Sequence, residues 1–290
     1  MSTFNEISYT SNDGLILYAR DYAAHSGSAK CPVICIHGLT RNSADFDEVA
    51  PWIASQGRRV IAIDVRGRGR SAYDPDANHY NPMVYTADVI KLAKDLGIAR
   101  AVFIGTSMGG IITMTVALRR SSLIAAAILN DVGPVISQKG LNRIAAYAGK
   151  AKTFTTWEQA IDYIMMINQT AFPGNTMAEW EKWAYRSFVK NQEGQLVLQY
   201  DPNIALPLQN GKLKASSLIA RLAFHRLARN RPTLLIRGAL SDLIEPEQAK
   251  YMRKLAPSMQ YVEVANVGHA PMLMEAEAMD AIRIFLAQVD

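Results

Sequence analysis

Two short segments carry side chains that could do covalent chemistry on a substrate. One is VFIGTSMGGIITM (102–114), where Ser107 stands between Gly105 and Gly109, with Gly110 following. The other is VANVGHAPMLM (264–274), which presents His269. A serine hydroxyl is a weak nucleophile until a neighbouring base accepts its proton. A histidine in that role needs a carboxylate to fix its tautomer and offset the charge it gains. Asp242, in LLIRGALSDLIEPEQ (234–248), is the carboxylate expected here, and Asp131, in LNDVGP (129–134), is its alternative. Ser107, Asp242 and His269 together would attack a carbonyl carbon and pass through an acyl-enzyme. The other four histidines suit that role less well: His25 lies in a polar loop, His79 in a Pro/Asn-rich connection and His225 in a later helical stretch. His37 closes a strand, where an imidazole more often shapes the loop.

The elements that must position these residues alternate between strand and helix. AVFIG (101–105) reads as a buried strand, and a helix leaves directly after Ser107 and runs to 119. Serine at the apex of such a strand–turn–helix projects its Oγ above the sheet, and the glycines admit the close backbone approach the turn requires. VICIHG (33–38), RVIAIDVRG (59–67), AAAILNDVG (125–133), TLLIRG (233–238) and QYVEVANVG (260–268) read as further strands. A hairpin turning at Asn12-Asp13-Gly14 precedes them. Helices are expected over 43–56, from Asn81-Pro82 to Gly97, over 246–255 and over 273–287. This rhythm predicts an α/β fold with a mostly parallel central sheet flanked by helices. His269 then falls at the carboxyl edge of the last strand, the same edge as Ser107. Residues 134–228 interrupt the rhythm, carry Trp157, Trp180 and Trp183, and read as several helices with no strong strand. They are expected to form a helical cap over a core made of 1–133 and 229–290. Met165, Met166, Phe172, Trp180 and Trp183 would be the interior of that cap or the wall of an apolar pocket.

HGL (37–39), DVRGRGRS (64–71), GTSMGG (105–110) and GH (268–269) together resemble the α/β-hydrolase superfamily across nearly the whole chain. The chain order Ser…Asp…His matches that resemblance, although some relatives place the acid where Asp131 stands. The resemblance implies that the backbone N–H groups of Leu39 and Met108 form an oxyanion hole, and that 134–228 is the family's cap. Haloalkane dehalogenases and epoxide hydrolases of this fold use an aspartate nucleophile, so serine at 107 argues against those activities. The expected function is hydrolysis of a small or medium carboxylic ester or lactone. The alternatives are hydrolysis of a carbon–carbon bond in a ring-cleavage product by the same triad, and a ligand receptor that has lost turnover.

Composition narrows the remaining classes. The chain is 49% hydrophobic and 20% charged, which is ordinary for a packed globule. The net charge of +5 is concentrated in RGRGR (66–70), without the aromatic interleaving of a nucleic-acid surface, so no nucleic-acid partner is expected. Arg66, Arg68 and Arg70 would either meet an acidic substrate or brace the loop beneath the oxyanion hole. Cys31 and Cys35 on one strand would sit about 13 Å apart, too far for a disulfide. Free thiols, the lack of a secretory signature and the lack of a long apolar run make a cytoplasmic protein the expectation, with no membrane partner. No metal-ligand spacing or phosphate loop is present, so neither metal nor cofactor is expected.

Overall fold

The computed structural model describes residues 4–25, 30–150, 152–210 and 215–289. Strands β1 (Asn5–Thr10) and β2 (Ile16–Tyr22) form the opening hairpin, followed by β3 (Val33–Ile36), α1 (Val49–Ser55), β4 (Val60–Asp64) and α2 (Pro82–Asp95). Then come β5 (Ala101–Thr106), α3 (Met108–Arg119) and β6 (Ile124–Asn130). The expected helix over 43–56 divides into a 3-10 turn at Ser43–Phe46 and α1. α2 begins as its sequence dictates: Asn81 accepts hydrogen bonds from the N–H groups of Met83 and Val84, with Pro82 at the first helical position.

The insertion contains α4 (Gln138–Tyr147), β7 (Thr153–Phe154), α5 (Trp157–Asn168), α6 (Met177–Ser187), β8 (Phe188–Lys190), β9 (Leu196–Leu198) and α7 (Leu206–Gln209). After it come α8 (Leu218–Asn230), β10 (Thr233–Gly238), α9 (Pro246–Leu255), β11 (Gln260–Val264) and α10 (Ala276–Leu286).

The eight-stranded sheet has the order β1-β2-β4-β3-β5-β6-β10-β11. From β4 to β11 all neighbours pair in parallel, while β1–β2 and β2–β4 are antiparallel. Strands β3, β4, β6 and β10 are buried along their whole length, and β5 up to Thr106, because helices cover both faces. The chain leaves β3 toward β4 on one side and returns to β5 on the other. In open α/β sheets that reversal opens a crevice outside the carboxyl ends of the strands, where ligands bind. Ser107 follows β5 at that crevice.

The insertion differs from the sequence expectation in two respects. It contains a small antiparallel sheet, β7-β9-β8, as well as helices. The β8–β9 turn closes at Gly194, whose φ of +77° suits glycine, and strands of two or three residues are too short to give a periodic signal. Helix α8 packs against α3, and its Phe224 and Leu227 are completely buried in the main core. Helix α8, the last part of 134–228, is thus seated directly on the main core. Phe172, Trp180 and Trp183 form an aromatic cluster inside the insertion, whereas Met166 is exposed. Among the described residues no helix is long and apolar enough to cross a membrane.

Candidate active site

The turn at Ser107 is fixed by backbone proximity. A Cβ on Gly109 would lie 2.0 Å from the Ile36 carbonyl oxygen, and one on Gly105 would lie 2.5 Å from the Gly109 backbone. Only glycine lets α3 approach β3 and β5 this closely. Ser107 itself takes φ +52°, a left-handed conformation that is strained for a side chain with a Cβ. Its N–H donates to the Asn130 carbonyl at 3.0 Å, and the Gly110 N–H donates to the Ser107 carbonyl at 2.9 Å. This framework holds the strain and leaves Oγ free to point across the crevice.

His269 reaches Ser107 from the far edge of the sheet, with 2.9 Å between Nε2 and Oγ. Its loop is held from three sides. The Gly268 N–H donates to the Ala171 carbonyl at 2.6 Å, the end of β10 lies against Val267 and Gly268, and Asn130 Nδ2 donates to the Pro271 carbonyl at 2.8 Å.

The carboxylate on the other side of the imidazole is Asp131, with 2.7 Å between its Oδ2 and His269 Nδ1. Asp131 is completely buried and has a φ of +54°. Ser241 Oγ donates to the same oxygen at 2.5 Å, and the Gly238 N–H donates to Oδ1 at 3.2 Å. These donors compensate the burial of a charge. Asp242, the carboxylate expected from the sequence, makes no hydrogen bond to the imidazole. Arg143 of α4 holds it with two bonds, at 2.5 and 2.8 Å. Burial opposes its ionisation, but the hydrogen bonds and charge of Arg143 outweigh burial and keep its carboxyl below the ordinary range. The loop after β10 still serves the site, through the hydroxyl of Ser241 one residue before Asp242. That role had no signal beyond a serine beside an aspartate.

Leu39 and Met108 lie at the mouth of the crevice, and Met108 opens α3. Among the described residues neither backbone N–H has a hydrogen-bond partner. Arg68, completely buried, touches both residues: its Nε donates to the Leu39 carbonyl at 2.9 Å and an Nη lies 3.5 Å from Met108 Sδ. A further Nη bonds the Arg66 carbonyl and the Tyr85 hydroxyl. No carboxylate among the described residues pairs with Arg68. Arg66 is likewise buried but is surrounded by Asp13, Asp74 and Asp88, and exposed Arg70 pairs with Glu6. None of the three lines the two cavities at Ser107.

His37 holds the same loop in its neutral form. Nδ1 lies 2.7 Å from the Gly38 carbonyl, and Nε2 accepts the Val65 N–H at 3.0 Å. His25 and His225 are exposed, and His79 sits beside Asp74 away from the crevice. Cys31 and Cys35 are buried free thiols.

A serine, an imidazole and a buried carboxylate in hydrogen-bonded sequence, beside two free N–H groups, can add an oxygen nucleophile to a carbonyl and stabilise the resulting oxyanion. The family model described as alpha/beta hydrolase fold matches residues 32–276. The chain belongs to the α/β-hydrolase family. A 3-hydroxybutyrate-oligomer hydrolase of Cupriavidus necator is 35% identical to this hydrolase over 247 residues, 84% of each chain. An sn-1-specific diacylglycerol lipase of Mus musculus is 27% identical over 270 residues, 92% of this chain and 84% of that one. An α/β hydrolase of Novosphingobium aromaticivorans, known from its crystal structure, superposes with a TM-score of 0.92 at 37% identity over the full length of both chains.

Proposed function

We propose that this hydrolase cleaves a carboxylic ester through an acyl-enzyme on Ser107. His269 is the base, Asp131 orients and charge-balances it, and the N–H groups of Leu39 and Met108 receive the oxyanion. The observation that carries the proposal is the continuous chain from Ser107 Oγ through both imidazole nitrogens to Asp131, at 2.9 and 2.7 Å. With Nδ1–H committed to the carboxylate, Nε2 is the basic nitrogen facing the hydroxyl, the tautomer that base catalysis needs. Ser107 Oγ adds to the carbonyl carbon while its proton passes to Nε2. That proton then goes to the departing oxygen as the ester bond breaks. Water, deprotonated by the same nitrogen, releases the acid and restores the serine. The names of the two relatives, a 3-hydroxybutyrate-oligomer hydrolase and a diacylglycerol lipase, favour an ester over the carbon–carbon bond.

The test is hydrolysis of p-nitrophenyl esters from acetate to decanoate, and of short 3-hydroxybutyrate oligomers, by the wild type and by Ser107→Ala. Loss of about four orders of magnitude or more in kcat for the variant is expected when the nucleophile is removed. A folded wild-type protein inactive on every ester and lactone would overturn the proposal.

A further inference from the structure

Two cavities, of about 100 and 70 Å³, open onto Ser107. They share Leu39, Ser107 and Ile144 in their walls, so Ile144 of α4 stands where they meet. Their chemistry differs sharply. The smaller is walled by Met108, Ile111, Val132, Ile136, Leu208 and Leu243. Two tyrosines also line it, with their hydroxyls engaged elsewhere: Tyr80 donates to Asp201 at 2.6 Å, and Tyr85 accepts from Arg68 at 3.0 Å. The larger mixes apolar walls, among them Ile164, Ile167 and Leu198, with the polar side chains of Arg41, Tyr163 and Asn168, and it alone contains His269. Asp45 neutralises Arg41 through Nε and one Nη, and the guanidinium stacks over Trp183. Among the described residues the Tyr163 hydroxyl in this wall has no hydrogen-bond partner, and the Trp183 indole N–H, which is closed off from the cavity space, has none either.

The position of His269 orients the substrate. The proton taken from Ser107 must reach the departing oxygen from Nε2, which requires that oxygen within hydrogen-bond reach of the ring. The leaving group therefore lies in the cavity that holds His269, and the acyl substituent on the same tetrahedral carbon projects into the other. An apolar acyl chain gains on entering the smaller cavity roughly in proportion to the area it removes from water. An apolar leaving group in the larger cavity would leave the Tyr163 hydroxyl unpaired, whereas an oxygen atom on the leaving group would satisfy it.

Resting on the acyl-enzyme reading above, we propose that this hydrolase takes esters of an apolar acyl chain with an oxygen-rich alcohol. The acyl chain is selected by the Ile136 cavity and the alcohol by the Tyr163–Trp183 cavity. The alcohol could come from a polyol or from a hydroxy acid, which offer the same acceptors.

The test compares the wild type, Ile136→Phe and Tyr163→Phe on two ester series, with Leu208→Phe replacing the first variant if thermal melting shows it misfolded. One series varies the acyl group on p-nitrophenol from acetate to octanoate. The other holds butanoate constant and varies the alcohol among hexanol, glycerol and 3-hydroxybutyrate. Ile136→Phe should lower the octanoate-to-acetate ratio of kcat/KM at least tenfold, and Tyr163→Phe should lower the oxygenated-to-hexyl ratio at least threefold. Preference for the glyceryl or the hydroxybutyrate ester over the hexyl ester supports the proposal and identifies the source. A crossed result, with Ile136→Phe changing alcohol preference or Tyr163→Phe changing acyl preference, overturns the assignment, as does preference for the hexyl ester. A fluorophosphonate probe separates the two levels. Labelling at Ser107 with a crossed result removes only the assignment, whereas neither labelling nor ester turnover removes the ester-hydrolase reading with it.

Discussion

Replacing Asp131 by asparagine preserves the shape of the side chain and reverses one of its hydrogen bonds. Oδ2 accepts from His269 and Ser241, and Oδ1 accepts from the Gly238 N–H. An amide nitrogen in the Oδ2 position would face His269 Nδ1 as a donor, moving the imidazole proton to Nε2 and blocking transfer from Ser107. The flipped amide would set its N–H₂ against the Gly238 N–H. One orientation imposes the wrong tautomer, the other opposes two buried donors, and in both the imidazolium formed during attack loses its counter-charge. The same change in a serine protease triad lowers kcat by roughly 10⁴, equivalent to about 5 kcal/mol of transition-state stabilisation. Asp131→Asn should fall by a comparable factor in kcat with KM little changed. Asp242→Asn provides the contrast, because it removes a partly exposed ion pair to Arg143 and touches neither Ser107 nor the imidazole. Such pairs typically contribute about 0–1 kcal/mol, so its kcat should stay within a few-fold of the wild type. The assay is steady-state hydrolysis of p-nitrophenyl butanoate, with thermal melts confirming that both variants are folded. A loss of a thousandfold or more in Asp242→Asn, with Asp131→Asn retaining activity, would refute the assignment of the acid.

Three further outcomes follow from the geometry. Arg68→Met should lower kcat roughly tenfold, less than the 2.7–4 kcal/mol lost with a whole oxyanion donor, because it frees the Leu39 carbonyl without removing the Leu39 N–H; an effect confined to KM would count against this. Burial pushes the His37 imidazole down to about 4 from an ordinary 6.5, reinforced by Arg68 and opposed by Asp64 and the Gly38 carbonyl. Above 6.5 both folded and unfolded chains carry it neutral; between 6.5 and 4 only the unfolded chain takes up the proton. Its contribution, up to about 3 kcal/mol, is therefore full above pH 6.5 and lost as pH falls toward 4. Denaturant titrations of the wild type against His37→Gln should show a flatter acid limb in the variant, and identical limbs would contradict the buried neutral imidazole. Gly109→Ala places a Cβ 2.0 Å from the Ile36 carbonyl oxygen and should destabilise the fold by about 3 kcal/mol or more, measured as a fall in the denaturation midpoint.

The sequence was sufficient for the parts of this protein that are encoded locally. A strand that ends in glycine, a serine, and two more glycines opening a helix can satisfy their backbone contacts in only one way, so Ser107 was legible from its neighbours. His269 was legible because a glycine-containing loop after the last strand returns to the same sheet edge. The alternation of strand and helix gave the parallel sheet, since each buried strand carries its own apolar run. The small sheet of the insertion was not legible, because two- and three-residue strands hold no period, and neither was the seating of α8 on α3. The carboxylate that partners the imidazole also depended on tertiary structure. Asp131 and Asp242 follow the adjacent parallel strands β6 and β10 and arrive at the same edge with the same chemistry. Their roles are set by partners distant in the chain: Arg143, 99 residues before Asp242, pairs with it, while Ser241 and Gly238 turn Asp131 toward His269. Spacing along a chain states which carboxylates can reach an imidazole; only the packed structure, through the donors surrounding each carboxylate, decides which one is left to hold it.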